Sequence, residues 1–373
     1  MAPCWPAHSP SAPGWCCRCG NWRPSVHEIQ TLGVETELHR FFAAARLRAS
    51  DYGDHYVALW DSLDQASRGG KRVRPALVLA AYDAFGGTDH TLSTPVAVSF
   101  ELLHTAFLIH DDVIDRDLSR RGKANIAGRF TERAIAHGAQ SAQAEAWAAT
   151  AAILAGDLAL SEAHRALALL PVSAELRGRL LDLLDRAVFV SAAGELADVT
   201  NTVSRDPLTI DQVITTLEHK TAIYSFEAPL QAGAVLAGAP EEAIDALGRF
   251  GRLIGVAFQL TDDLLGVFGD PDSTGKSVIA DLREGKQTAL IAHAGATDRW
   301  PLIAPFLGKS DLTDAEADLV RGHLRDCGAP ETADALAREY ASRAVDALQG
   351  PLMPDTLRTT LTQLALSAVT RQK

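Results

Sequence analysis

Cysteine is almost absent from the body of this chain. Four of its five cysteines (Cys4, Cys16, Cys17 and Cys19) crowd the first 19 residues, leaving only Cys327 beyond them. That excludes a disulfide framework for most of the protein and predicts a reduced, cytoplasmic chain. Among the N-terminal cysteines only Cys16 and Cys19 have a CxxC gap, without the further ligands a zinc site needs. Also missing is any uninterrupted apolar run of the ~18 residues that a transmembrane helix requires. The nearest candidate, AAILAGDLALSEAHRALALL, is broken by Asp157, Glu162 and Arg165. The opening MAPCWPAHSPSAPGWCCRCG lacks the apolar core of a signal peptide. Positive charge is in the minority, with 35 Lys and Arg against 47 Asp and Glu and a formal net charge of −12. A general nucleic-acid or anionic-membrane binder needs a basic surface, so both classes are disfavoured.

What is plentiful is apolar and helix-forming. Hydrophobic residues make up 47% of the chain, ample for a core. From about Val26 onward, Ala, Leu, Glu and Arg recur at helical spacing while alternating β-type runs are scarce. Residues 1–27, rich in Pro, Trp and Cys, read as an irregular extension. With no fixed-period repeat and no Gly/Ser linker, residues 28–373 read as one all-α domain. Thr94 followed by Pro95 predicts a helix start. Helices are also predicted over Ser141 to about Leu170, Ala174 to about Val199, and from about Thr313 on. Gly251 and Gly255, four apart, predict a close helix–helix approach.

The strongest chemical signal is HDDVIDRDLSRRG, His110 to Gly122. On a helix Asp111, Asp112 and Asp115 share one face. Three such anions repel unless a cation intervenes, and hard, oxygen-seeking Mg²⁺ also keeps positions open for phosphate oxygens. The apolar FLIH leads directly into the acids, which a merely solvated helix end does not explain. Arg120 and Arg121 follow, and guanidinium forks match phosphate. A second pair, Asp262 and Asp263, sits in the apolar FQLTDDLLGVFGD, with Gln259 one turn earlier. Two such pairs suggest carboxylates facing each other across a cavity, bridged by metal. Basic elements complete the set: Lys71 and Arg74 in GGKRVRP, Lys220 and Thr221 in EHKTAIYSFEAP, and Lys276 and Lys286 around GKSVIADLREGK. GDPDSTGKS is no P-loop, because five residues rather than four separate Gly269 from Gly275 and a helix, not a strand, precedes it.

In this order, the blocks from about residue 68 to 290 resemble the trans-isoprenyl diphosphate (polyprenyl) synthase family. The resemblance implies a single helical bundle around a central cavity and a cytoplasmic homodimer. It also implies condensation of isopentenyl diphosphate with an allylic diphosphate, dependent on three Mg²⁺ ions per site. Lys71, Arg74 and His104 would bind isopentenyl diphosphate, with Arg121 as a further contact. Asp111, Asp112 and Asp115 would hold Mg²⁺ against the allylic diphosphate, helped by Arg120. Lys220, Thr221, Gln259, Lys276 and Lys286 would be its other contacts, with Asp262 the third-metal ligand. Two positions depart from the family pattern: Gly266 stands where many members carry a third aspartate, and Glu195 replaces a glutamine in GELAD, with Asp198 kept. The growing tail would run down the helix bearing Asp111, so Ala106 and Phe107, ~6–7.5 Å below it, would form the floor. One is small and one bulky; geranylgeranyl diphosphate is the expected product, with farnesyl and longer chains as alternatives. Two other readings are a class I terpene cyclase and a non-catalytic subunit of a heteromeric synthase. The first has no use for GGKRVRP, and the second tends to have eroded acidic motifs.

Overall fold

The computed structural model describes residues 27–203, 206–269 and 279–370, with side chains from residue 33 onward. The N-terminal cysteines and Lys276 lie outside the described residues. The chain runs α1 (His27–Ala49), a 3-10 turn (Ser50–Tyr52), α2 (Asp54–Ser67), α3 (Val73–Ala84) and α4 (His90–Ile114). A small hairpin follows, β1 (Ser119–Arg120) and β2 (Lys123–Ala124), then α5 (Ile126–Ala136), α6 (Ser141–Ala168) and α7 (Ala174–Val203). Next, α8 (Ile210–Leu217) continues into a π-helix (Glu218–Glu227), α9 (Ala228–Leu236) and α10 (Glu241–Phe268). The C-terminal helices Ala329–Ala347 and Asp355–Val369 pack against α10.

Composition explains the packing. In α6, Ala144, Ala148, Ala151, Ala155, Ala159 and Ala163 recur every three or four residues and are all buried. Side chains this small make one flat stripe that lets α6 lie close along α4. In α10, Gly251 and Gly255 perform the predicted service. A Cβ on Gly255 would strike Ala222, and one on Gly251 would strike the backbone of Phe226 and Glu227. The π-helix therefore presses directly on α10. On its other side, a Cβ on Gly194 of α7 would collide with the backbone of His219 and Lys220.

Helix α4 departs from expectation. It begins at His90, not at Thr94, because the Asp89 carboxylate accepts the Thr91 N–H (3.0 Å) and hydroxyl (2.6 Å) and caps the first turn. Pro95 then falls inside the helix, where its fixed φ is compatible and only one early hydrogen bond is lost. α4 is also long and apolar enough to cross a membrane, although 67% of its most apolar window is buried within the protein. Phe100, Leu102 and Leu103 of that stripe are at most 1% exposed and belong to the core, each contributing about 1.5–3 kcal/mol of burial.

Candidate active site

α4 ends in the first acid cluster. Asp111 and Asp112 lie in its last turn, and Asp115 is the C-cap with backbone still in the right-handed helical region (φ −77°, ψ −7°), so all three keep one face. The hairpin then folds back. Its two-residue turn, Arg121–Gly122, has positive φ at both positions (54° and 71°), the geometry that matches strand twist. This turn aims Arg120 at the acids: Nε donates to Asp112 Oδ1 at 2.7 Å and Nη2 to Asp111 Oδ2 at 3.1 Å. Burial still holds the Asp112 carboxyl above its ordinary range against that pull. Asp115 is pushed up to about 7, by burial first, with Lys286 opposing and Asp111 and Glu284 adding repulsion.

The π-helix supplies the next wall. Its i→i+5 bonding is a local widening characteristic of functional sites. Lys220 Nζ sits 2.6 Å from Asp198, 2.9 Å from Glu195 and 3.6 Å from Asp111, tying α7 to α4. These three carboxylates outweigh the cost of burying its ammonium, so Lys220 holds its proton more tightly than usual. Thr221 Oγ1 donates to Gln259 Oε1 at 3.3 Å, and Gln259 Nε2 donates to Asp263 at 2.9 Å, connecting the π-helix to the second acid cluster on α10. The half-buried Asp263 carboxyl is pushed up to about 8, by desolvation first, with Gln259 opposing and Asp281 and Asp262 repelling. Lys286, 2.8 Å from Glu284 and 3.5 Å from Asp281, is felt electrostatically by both Asp115 and Asp263. The two acid clusters thus face each other with one lysine between them.

One helical face away lies a cationic pocket. Arg74 Nη2 donates to Ser225 Oγ at 2.6 Å and to the Tyr224 hydroxyl at 3.3 Å, while its Nε is buried without a partner. His104 stacks on Tyr224 with its Nδ1 3.5 Å from the phenol oxygen. Burial, then the fields of Arg74, Arg121, Arg120 and Arg72, hold His104 well below its ordinary pKa, so it is neutral. Gly69 and Gly70 have positive φ, and the Arg121 guanidinium lies against them, near 3.2–3.5 Å from where their Cβ atoms would be. The pocket is a concentration of positive charge that a bound anion would relieve. Phe107 closes its apolar side, edge-on to Tyr224 at 4.9 Å.

The structure therefore brings together Asp111, Asp112, Asp115, Arg120, Lys220, Thr221, Gln259 and Lys286 on one side, and Arg74, His104 and Arg121 on the other. Asp262 lies beside Asp263 on α10, and Lys71 is exposed next to the pocket. Ala106 and Phe107 separate: Ala106 is 0% exposed within the core, whereas Phe107 is half-buried beside Tyr224. Sequence reasoning missed Tyr224, which touches Arg74, His104 and Phe107; its place four residues after Lys220 was the available cue. It also missed Arg72, which is buried and paired with Glu35, Glu101 and the Ser67 carbonyl, fixing the glycine turn. Among the described residues no three His, Cys, Asp or Glu side chains converge into a closed metal cage. The donor set nonetheless fits Mg²⁺, since it consists of carboxylate oxygens on opposed helices, two of them still proton-holding near neutrality. That ion keeps waters and phosphate oxygens in its shell rather than demanding an all-protein cage. A surface concavity of about 490 Å³ beside Arg48, Tyr52 and Trp60 has a single carboxylate, Asp51, in its lining and no opposed acid cluster.

The profile of the family described as Polyprenyl synthetase matches residues 58–316. The chain is 36% identical over 311 residues to the (2E,6E)-farnesyl diphosphate synthase of Mycobacterium tuberculosis, covering 81% of this chain and 80% of that one. It is 34% identical to the geranylfarnesyl diphosphate synthase of Aeropyrum pernix, covering 79% and 91%. Among solved structures, geranylgeranyl pyrophosphate synthase from Corynebacterium glutamicum, complexed with isoprenyl diphosphate and magnesium, superposes with a TM-score of 0.84 at 31% identity, covering 91% and 98%.

Proposed function

Because the chain belongs to the polyprenyl synthetase family and is a prenyl diphosphate synthase, we propose that it couples isopentenyl diphosphate head-to-tail to an allylic diphosphate and releases geranylgeranyl diphosphate. The observation that carries this reading is the pairing of two unlike poles on one face of α4. Asp111 marks the acidic pole, and His104, seven residues earlier and so ~10 Å away along the axis, marks the cationic one. Two diphosphates need two grips, and these are of different kinds. A cyclase, with one diphosphate, has no use for the second.

In this reading Lys220, Lys286 and Arg120 hold the allylic diphosphate from three directions. Magnesium, three ions when fully loaded, supplies the charge that stabilises the departing diphosphate. Arg74, Arg121, Lys71 and neutral His104 fix isopentenyl diphosphate so that its double bond meets the carbon the leaving group has vacated. The C–O bond breaks, a C–C bond forms, and a proton is lost to the freed diphosphate. The rings of Tyr224 and Phe107 keep water from the cation. Phe107 supports an intermediate product length, because its ring, and not the buried Ala106, stands in the path of the tail. A cytoplasmic homodimer is the proposed form. Phe189, Leu196 and Val203 recur every seven residues along α7 and are 70–80% exposed, an apolar face suited to a second copy.

The test is turnover of radiolabelled isopentenyl diphosphate with a geranyl or farnesyl primer. Asp111→Ala with Asp115→Ala, or removal of Mg²⁺ with EDTA, should reduce it by at least ~10³-fold; undiminished turnover would sink the reading. Phe107→Ala should lengthen the products seen by chromatography, and an unchanged distribution removes Phe107 from the floor.

A further inference from the structure

The two acid clusters share a spacing up to their last member. Positions 111, 112 and 115 are all aspartate; positions 262 and 263 are aspartate, but position 266, equally placed one turn on, is glycine. Glycine inside a helix costs about 0.5–1 kcal/mol relative to alanine, so its use in α10 calls for a reason. The reason lies in the next described segment. A Cβ built on Gly266 would land on Asp281 Oδ2, closer than real atoms approach, and no other residue comes within contact distance of it. Asp281 opens the short helix Ala280–Glu284 that leads to Lys286. Its Oδ1 lies 3.5 Å from Lys286 Nζ, a long, one-pronged contact, and its side chain is 22% exposed. The other oxygen is directed at the bare backbone of Gly266.

We propose that Asp281 supplies the second acid cluster with the carboxylate that position 266 lacks, standing in space where an aspartate at 266 would have put one. The second cluster is then a three-carboxylate set like the first, assembled from two segments instead of one. Gly266 is the vacancy that admits the visiting side chain. Asp281 is a residue for the Mg²⁺–diphosphate complex, in its coordination shell or through a metal-bound water, and not only an acceptor for Lys286. The assignment rests on the functional reading above.

The experiment is a calorimetric titration of Mg²⁺ into the full chain with inorganic diphosphate in excess, with thermal melts to confirm that each variant folds. Asp281→Asn preserves shape and should weaken apparent Mg²⁺ binding about tenfold, equivalent to about 1.4 kcal/mol. Asp281→Ala should do the same or more. The decisive variant combines Asp281→Ala with Gly266→Asp, which moves the carboxylate onto α10 and should recover binding to within about threefold of wild type. If Asp281 serves only to orient Lys286, the relocated carboxylate will not rescue, and that result overturns the assignment. So does an Asp281→Asn titration that superimposes on wild type. Wild-type protein that takes up diphosphate equally with and without Mg²⁺ overturns the functional reading beneath it.

Discussion

The two acid clusters stand on opposed helices, yet they are neutralised differently. Asp111 and Asp112 are gripped by a guanidinium that arrives eight or nine residues later on a tight hairpin. The grip is local in sequence and forms with the helix end itself. Asp263, in the second cluster, is held differently. Asp263 receives one amide hydrogen bond from Gln259, shares its surroundings with Asp281, and feels Lys286 only at a distance. The consequence is visible in proton affinity, with Asp263 at about 8, whereas Asp112 is raised by burial but opposed by Arg120 in contact. The Asp111–Asp112 pair is matched in charge by a contacting guanidinium, whereas Asp263, and to a lesser degree Asp115 at about 7, is left short of positive charge. A site that must take up cations with its substrate gains by keeping one side unsatisfied, because the differential interaction then appears on binding.

The largest expected effect comes from destroying this asymmetry at the first cluster. Arg120→Met keeps the apolar stem but leaves Asp112, only 6% exposed, with no guanidinium. Metal-free stability should fall by about 1–3 kcal/mol, the cost of stranding a largely buried partner, and turnover by about 100-fold. Lys286→Met should reduce turnover comparably but cost little metal-free stability, since its carboxylate partners are partly exposed. Urea melts of the two variants check this; equal destabilisation would erase the distinction between the clusters.

Much of this arrangement was legible in the chain. Alanine and leucine spacing predicted the long helices, the two aspartate runs marked the acid clusters, and Gly251 and Gly255 announced the close approach of α10. These signals are local, and local signals survive translation into structure. Other features were not legible because they arise between segments. The RRG of residues 120–122 suggested phosphate contacts, but not that a two-residue turn would fold Arg120 back on Asp112. The π-helix has no propensity signature of its own; it lies where Gly194 and Gly255 admit the backbone from both sides. Asp281 is fifteen positions from Gly266, and only tertiary packing shows that one fills the space of the other. Tyr224 carried no signal of its own beyond its spacing from Lys220, because its role comes from the hydroxyl lying near both Arg74 and His104 across three segments.

The smallest predicted effect is also the most specific to the second cluster. An ordinary aspartate loses its proton near 3.9, whereas folded Asp263 keeps its own to about 8. Between those values the folded state binds more protons than the unfolded one, so this residue makes metal-free stability fall as pH rises, levelling above about 8. Asp263→Asn cannot titrate and removes that contribution. Its melting temperature should match wild type near pH 4–5 and exceed it by about 2–5 °C at pH 9, after discounting for partial exposure. A residual slope ending near pH 7 should persist in the variant, because Asp115 has the same sign and a lower endpoint. Mg²⁺ with inorganic diphosphate should reverse the order at pH 9, since a cation at the cluster stabilises the ionised carboxylate and the amide offers it no charge. Parallel melting curves for variant and wild type across pH 5–9 would mean that the second cluster is as well neutralised as the first, and the contrast between them would be lost.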